Sequence, residues 1–455
     1  MKKGELLEFV IEYNKYPNVG VGTVGDKRVH VKNGLEGQLV SARYLKSKGG
    51  RYEAKLVEVL ERGPLEKASF CEHFNECGGC MLQTFDYEGQ KNLKLKMVQN
   101  LFEEAGFDVP LTEVISSPEA FEYRNKMEFS FGDAYKGGPL TLGMHKKGRH
   151  NDVVTVDHCH LADEDYRTIL RGLLDYFVQI DAPKYNKHIH EGFLRHLVVR
   201  KGKTTGEIMV ALSATTQVPF DGDAFVECLK NMPLLGTLES VLYVKNNGLG
   251  DVVSGEIDVL YGRDHILDRV MGLNFKINLY SFFQTNTLGA NLLYDTAINM
   301  IPDLDDKVCF DLFSGTGTIG QIMAQKAKKV IGIEIVKDAV EAAKENATMN
   351  GIDNCTFLCG DVFDVLAGVE DKPDVIVVDP PRNGIGEKTV VKVASYGIPE
   401  IVYVSCNPKT LMEDLSIFKK QGYDVTKMVL VDMFAWTGHV EAIVLMTRSG
   451  SGDKK

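Results

Sequence analysis

The sequence predicts a multidomain α/β protein. It should have an N-terminal OB-like β-barrel over residues 1–62, a mixed α+β central domain over 63–274, a C-terminal Rossmann-like domain over 275–448 and a flexible tail over 449–455. Three observations lead there. At 455 residues the chain exceeds what one hydrophobic core spans. Its first sixty residues break into short β-rich runs separated by turn residues. From about residue 275, apolar runs rich in β-branched residues alternate with helical stretches, the signature of a doubly wound parallel sheet.

In chain order, Val21–Val31 contains a turn at Gly25-Asp26 between two β-rich runs, and Leu35–Leu45 and Tyr52–Leu60 flank Lys46-Ser47-Lys48-Gly49-Gly50. Short strands at this spacing suit a small barrel of the oligonucleotide-binding kind. Gly63-Pro64 marks a break, and part of 63–110 reads as linker. Residues 88–105 read as a helix with Leu93, Met97 and Leu101 on one face. From about 112 to 270 strand-like stretches such as Lys126–Phe131 and Leu197–Arg200 imply no particular topology. Beyond 275 the strand candidates are Val308–Phe313, Lys329–Glu334, Val375–Asp379 and Ile401–Ser405, with a helix around Ala339–Ala347.

Composition bounds the function. Hydrophobic content of 44% and charged content of 25% fit a soluble globular protein. No apolar run reaches the roughly 18 residues of a membrane helix, and the start lacks the apolar stretch of a signal peptide, so a cytoplasmic location is expected. A net charge of −11 argues against binding nucleic acid over the whole surface, yet residues 1–60 carry 11 Lys or Arg against 7 Asp or Glu. Nine cysteines in such a protein point away from a disulfide framework and toward a metal or reactive thiols.

Asp311-Leu-Phe313-Ser-Gly315-Thr-Gly317-Thr-Ile-Gly320 ends a strand candidate and opens a helix, and Glu334 closes the next strand. Glycines let the backbone approach a nucleotide while the acid accepts hydrogen bonds from ribose hydroxyls. Asp311, and Asp379-Pro-Pro-Arg382 after a later strand, favour S-adenosylmethionine over a nicotinamide dinucleotide. Arg382 stands where methyltransferases acting on planar nitrogen carry an aromatic residue, so amine methylation is disfavoured and the target needs another means of activation. Cys406, in Ser405-Cys406-Asn407-Pro408 at the same sheet edge, supplies one. C5 of uracil is too weak a nucleophile to attack a sulfonium methyl, whereas thiolate addition at C6 makes C5 enolate-like. A base must then remove the C5 proton, and Glu441 in Thr437-Gly-His439-Val-Glu441 is the candidate. The plain alternatives are a buried structural thiol and a solvated carboxylate.

Cys71-x5-Cys77-x2-Cys80, with Cys159 far downstream, suits tetrahedral zinc or a cubane iron–sulfur cluster; His73, His158 or His160 would serve if the metal were zinc. Spacing does not choose between them.

These residues, in this order, resemble the bacterial RNA (uracil-5-)-methyltransferases, specifically the 23S ribosomal RNA branch with a TRAM domain and a [4Fe–4S] cluster. The motifs carrying the resemblance are the basic β-segment, the cysteine set, Tyr123-Arg124-Asn125-Lys126, Ser281-Phe-Phe-Gln284, Asp311–Gly317, Asp379–Arg382, Ser405–Pro408 and His439-Val-Glu441. The resemblance implies that Gln284, Phe313, Glu334, Asp361 and Asp379 contact S-adenosyl-L-methionine, that Cys406 is nucleophile and Glu441 base, and that Cys71, Cys77, Cys80 and Cys159 hold the [4Fe–4S] cluster. It implies an rRNA-processing enzyme whose partner is 23S rRNA, with the uridine flipped out of its stack and Arg124 and Lys126 gripping the backbone. A monomer is expected. Ala435 stands where proline is usual, in the loop ahead of Glu441. A tRNA uridine is the alternative substrate, since the chemistry is identical; the cysteine set and β-segment favour rRNA. Cytosine-5 methylation is disfavoured because no cysteine accompanies Pro380-Pro381. An iron–sulfur RNA-binding protein without catalysis is the alternative from another class.

Overall fold

The computed structural model describes residues 1–109, 111 and 113–449, and its strands form three large sheets and one hairpin. The first sheet holds β1 (Leu6–Val10), β2 (Tyr13–Lys15), β3 (Val19–Val24), β4 (Lys27–Lys32), β5 (Leu39–Lys48) and β6 (Arg51–Glu61), in the order β1-β5-β6-β4-β3-β2. Alternation decides which face is buried: Leu7 and Phe9 of β1 and Val29 and Val31 of β4 point into one small core with Val40 and Ala42. The sheet curls because Gly22 of β3 has no side chain; a Cβ there would overlap the Val10 carbonyl oxygen. Gly25, at φ +65°, makes the turn expected between β3 and β4.

After the cysteine segment comes α1 (Tyr87–Glu104), capped by Asp86, whose side chain accepts from the Gly89 N–H at 2.8 Å. The helix is a wedge. Leu93 and Met97 pack with Leu35, Leu82 and Phe85, whereas Val98 and Phe102 enter the core of the C-terminal sheet. The expected third face residue, Leu101, is only partly buried against that second core.

The next strand, β7 (Val114–Ile115), pairs with the C-terminal sheet and is followed by the central sheet. That sheet comprises β8 (Lys126–Asp133), β9 (Leu140–Lys146), β10 (Arg149–Thr155), β11 (Leu194–Lys201), β12 (Glu207–Ala214), β13 (Thr237–Lys245) and β14 (Glu256–Gly262). Helices α2 (Glu164–Gln179) and α3 (Gly222–Lys230) cover one face. The other face presents Val198, Met209, Ala211, Leu242 and Val244 to a core shared with the C-terminal residues.

The C-terminal part starts with the hairpin β15 (His265–Val270) and β16 (Leu273–Asn278), then α4 (Thr287–Ile298). It continues as β17 (Val308–Leu312), α5 (Thr318–Ala324), β18 (Lys329–Glu334), α6 (Lys337–Met349), β19 (Cys355–Cys359), α7 (Val362–Gly368), β20 (Val375–Val378), α8 (Glu387–Ser395), β21 (Glu400–Ser405), α9 (Pro408–Lys420), β22 (Tyr423–Val431) and β23 (Glu441–Arg448). The strand order is β19-β18-β17-β20-β21-β23-β22-β7, parallel from β19 to β21 with β23 antiparallel to both neighbours. Continuous apolar runs such as Val375–Val378 are buried on both faces, as in helix-covered parallel sheets. From residue 450 on, the tail expected to be flexible lies outside the described residues. Among the described residues no helix is long and apolar enough to cross a membrane.

Candidate active site

Strand register brings the two principal candidates together. Ser405 at the end of β21 pairs with Ala442 of β23, so Cys406 and Glu441 continue the ladder as neighbours. Val378 of β20 pairs with Tyr403, which puts Asp379 beside the same strand end. The Asp379 N–H donates to the Leu312 carbonyl at 3.2 Å and so joins this group to the glycine loop after β17.

Local sequence explains why β21 stops there. Asn407 caps α9, its side chain accepting from the Lys409 N–H at 3.3 Å, and Pro408 fills the first turn. Asn407 Nδ2 and Thr410 Oγ1 donate to the Arg382 carbonyl at 2.9 and 3.0 Å, tying the Asp379–Arg382 turn to the start of α9, next to Cys406. Asp414 holds the rest of that turn by accepting from the Ile385 N–H at 2.9 Å and the Tyr403 hydroxyl at 2.7 Å.

The site is acidic and buried. Glu441 is 2% exposed, and burial, reinforced by Asp379, pushes its carboxyl up to about 8. Burial raises Asp379 to about 7. Asp311 also rises to about 7, mainly through burial, although it accepts from the Gly320 N–H at 2.7 Å; its second oxygen has no hydrogen-bond partner among the described residues. The half-buried Cys406 thiol is pushed up to about 11 by burial and then by Glu441 and Asp379, with Arg382 pulling the other way. Arg382 is therefore the cation that stabilises a thiolate here. Sequence reasoning used it only to disfavour amine chemistry; its proximity to Cys406 arises from the turn geometry.

The remaining nucleotide-site candidates line the same sheet edge. Phe313 and Gly317 have φ of +66° and +79°, and a Cβ at Gly317 would come within 2.5 Å of the Phe357 ring. Glu334 accepts from the Gly315 and Val336 N–H groups at 3.0 and 2.9 Å, stitching two strand ends together. Asp361 caps α7 through the Phe363 N–H at 2.9 Å and is exposed. Beside these two acids Ile335 and Phe363 expose apolar side chains, a rim that sequence reading did not single out. Gln284 is buried, its side chain reaching Tyr294 and its carbonyl accepting from Asn125 at 2.8 Å.

Asn125 explains the Tyr123–Lys126 motif. Tyr123 donates to the Ala435 carbonyl at 3.0 Å and Asn125 to Gln284 and Thr287, so one alternate set pins the central sheet to the active-site loops. The other set, Arg124 and Lys126, faces a cavity of about 310 Å³. Cys71, Cys77, Cys80 and Cys159 line that same cavity, and all are free thiols. Among the described residues no three or more Cys, His, Asp or Glu side chains are grouped closely enough to hold a metal ion as they stand. His73 and His158 lie near Glu72 and Asp157, and His160 packs edge-on to Phe70.

Ala435 does not leave its loop loose. Asp432 pairs with Lys94 at 2.6 Å, Asn286 donates to the Met433 carbonyl at 3.0 Å, and Gln90 accepts from the Trp436 N–H at 2.7 Å. The Met81 and Leu82 N–H groups, next to Cys80, donate to the Trp436 carbonyl at 2.9 and 3.0 Å.

The profile of the family described as tRNA (Uracil-5-)-methyltransferase matches residues 86–449. The chain belongs to this RNA (uracil-5-)-methyltransferase family. An uncharacterized RNA methyltransferase of Clostridium acetobutylicum is 48% identical over 452 residues, covering 98% of this chain and 99% of the relative. One from Caldanaerobacter subterraneus is 43% identical, covering 99% and 100%. Among solved structures, the Pyrococcus abyssi tRNA (uracil-54, C5)-methyltransferase in complex with S-adenosyl-L-homocysteine is 25% identical. It aligns with a TM-score of 0.76 over 97% of this chain and 100% of its own. This methyltransferase is thus an S-adenosylmethionine-dependent enzyme acting on RNA.

Proposed function

We propose that the enzyme methylates C5 of a uridine in 23S rRNA through a covalent Cys406–C6 adduct. The observation that carries the mechanism is the register of β21 and β23, which sets the Cys406 thiol beside Glu441 at the edge of the sheet where the glycine loop ends. Cys406, as thiolate, adds to C6, and the C5–C6 π pair moves into the ring as an enolate. Bound S-adenosylmethionine supplies the electrophilic methyl group that C5 takes. Glu441 then receives the C5 proton, the C6–S bond breaks, and its electron pair returns to Cys406. Arg382 favours the thiolate at both ends of the cycle. Asp311, Asp379 and Glu441 form a buried acidic group suited to a cationic ligand, which supports Asp379 as a cofactor contact together with Gln284, Phe313, Glu334 and Asp361.

Cys71, Cys77, Cys80 and Cys159 would hold the [4Fe–4S] cluster. Four thiols around one cavity, with Lys147 near Cys77 and Cys80, suit an anionic polynuclear group better than a single ion. Arg124 and Lys126 on its wall would meet RNA phosphates. The TRAM assignment of residues 1–62, the central domain over 63–274 and the methyltransferase domain over 275–448 belong to this reading.

A tRNA uridine is the second reading, favoured by the Pyrococcus abyssi tRNA enzyme, whose likeness runs over 97% of this chain. An alignment of that extent includes most of the N-terminal β-segment, so this segment no longer separates rRNA from tRNA enzymes. Incubation of total RNA lacking the modification with labelled S-adenosylmethionine, followed by nucleoside analysis of each size fraction, tests both. 5-Methyluridine in 23S rRNA, lost in Cys406→Ala, is expected. Label in the tRNA fraction would transfer the mechanism to the second substrate, and no 5-methyluridine in any RNA would overturn it.

A further inference from the structure

The N-terminal sheet reaches the catalytic pocket. Its β2–β3 turn, Tyr16-Pro17-Asn18, packs on the turn that precedes Glu441, so closely that a Cβ at Gly438 would overlap the Pro17 carbonyl oxygen and touch Asn18. Tyr16 packs against two cores at once: that of Leu35, Leu82 and Leu93, and that of the C-terminal sheet containing Val440 and Ala442. Its hydroxyl oxygen is buried, lies beside the Val440 backbone, and makes no hydrogen bond of normal geometry among the described residues.

The groups whose charges act on that hydroxyl are Glu441, Cys406 and Arg382. Burial, with Glu441 and Cys406 adding to it, lifts the phenol above its usual range, so it stays a proton donor. A buried hydroxyl without a partner is costly, about 1–3 kcal/mol, and native proteins keep few of them. Glu441 is almost fully buried, and the charges that act on its carboxyl are those of Asp379 and Arg382. The unpartnered Tyr16 hydroxyl and the buried Glu441 carboxyl are therefore brought near each other from distant parts of the sequence.

We propose that Tyr16 is a positioning residue: its hydroxyl donates a hydrogen bond to the Glu441 carboxylate when the target nucleotide fills the pocket, holding that oxygen on the C5 proton. The N-terminal sheet then contributes to the elimination step as well as to any grip on RNA. This rests on the assignment of Glu441 as the base.

Tyr16→Phe is the test, because it keeps the ring and its packing and removes one oxygen. Its thermal melt should be at or above that of wild type, since an unpartnered buried hydroxyl is removed, and its KM for RNA should be unchanged. Its kcat should fall about ten- to a hundredfold, and the SDS-stable Cys406–RNA adduct should accumulate, as in Glu441→Gln, because the step after methyl transfer is slowed. A Tyr16→Phe enzyme with wild-type kcat, or one slowed without extra adduct, overturns the proposal while leaving the base assignment standing. A Glu441→Gln enzyme that turns over normally would overturn the base assignment, and this proposal with it.

Discussion

Lys94 sits on α1 with its side chain fully buried, 2.6 Å from the equally buried Asp432 and 3.1 Å from the Phe434 carbonyl. The second oxygen of Asp432 has no hydrogen-bond partner among the described residues, so Lys94 is the ion that balances this carboxylate. Lys94→Met keeps most of the volume and deletes the charge. Stranding one member of a buried pair costs about 3–5 kcal/mol. For a unit the size of the C-terminal sheet and its helices, that is a fall of roughly 10 °C in melting temperature. The double variant Lys94→Met/Asp432→Asn removes both charges and should recover most of the loss. Differential scanning fluorimetry of wild type, both single variants and the double variant completes the cycle, and methylation assays at 20 °C run beside it. The loop held by this pair leads directly to Glu441, so turnover should fall with stability in Lys94→Met. A Lys94→Met protein that melts with wild type, or a double variant no better than the single, would refute the reasoning.

Gly317→Ala drives a methyl toward the Phe357 ring at a φ of +79°; S-adenosylmethionine affinity measured calorimetrically should weaken, and stability should drop by about 1–3 kcal/mol. Asp311, Asp379 and Glu441 all have folded-state values raised above the ordinary carboxylate range, to about 7, 7 and 8. The stability they contribute is complete below about pH 4 and is lost as pH rises through 7 to 8. Melting temperature without cofactor should therefore fall across that window, with a shallower slope in Asp379→Asn, and the shift produced by the cationic cofactor should be larger at pH 8 than at pH 6. Arg382→Met removes a cation that lowers Cys406, so the pH at which adduct formation reaches half its maximum, read by denaturing gel, should move upward.

The strand ends that hold the candidate site were legible because they sit in contiguous motifs: Asp311–Gly317, Asp379–Arg382 and Ser405–Pro408 each carry their own turn signals. The meeting of Cys406 with Glu441 was not, since it depends on an antiparallel register between strands whose intervening chain includes α9 and β22. The topology of the centre was hidden for another reason. In β11 and β12 nearly every residue is buried, which erases the period-two alternation that marks a strand's two faces. Lys94 lies on a helix read correctly by its Leu93 and Met97 face, yet a buried lysine contradicts amphipathic reasoning and is explained only by a residue 338 positions away. Tyr16 belongs to no motif, and nothing in its own segment points toward the opposite end of the chain.

That separation bears on how the molecule is made. The side of α1 that carries Val98 and Phe102 belongs to a core whose last strands are β22 and β23, and Lys94 waits for Asp432. At about 5–20 residues per second, a ribosome needs on the order of half a minute to advance the 338 positions from Lys94 to Asp432. For that time a nascent helix carries an apolar stripe and an unmatched ammonium outside the tunnel. The helix that covers this side, α9, emerges late, so a transcript cut short before α9 leaves the Val98 and Phe102 side of α1 uncovered, a ready substrate for holdase chaperones and proteases.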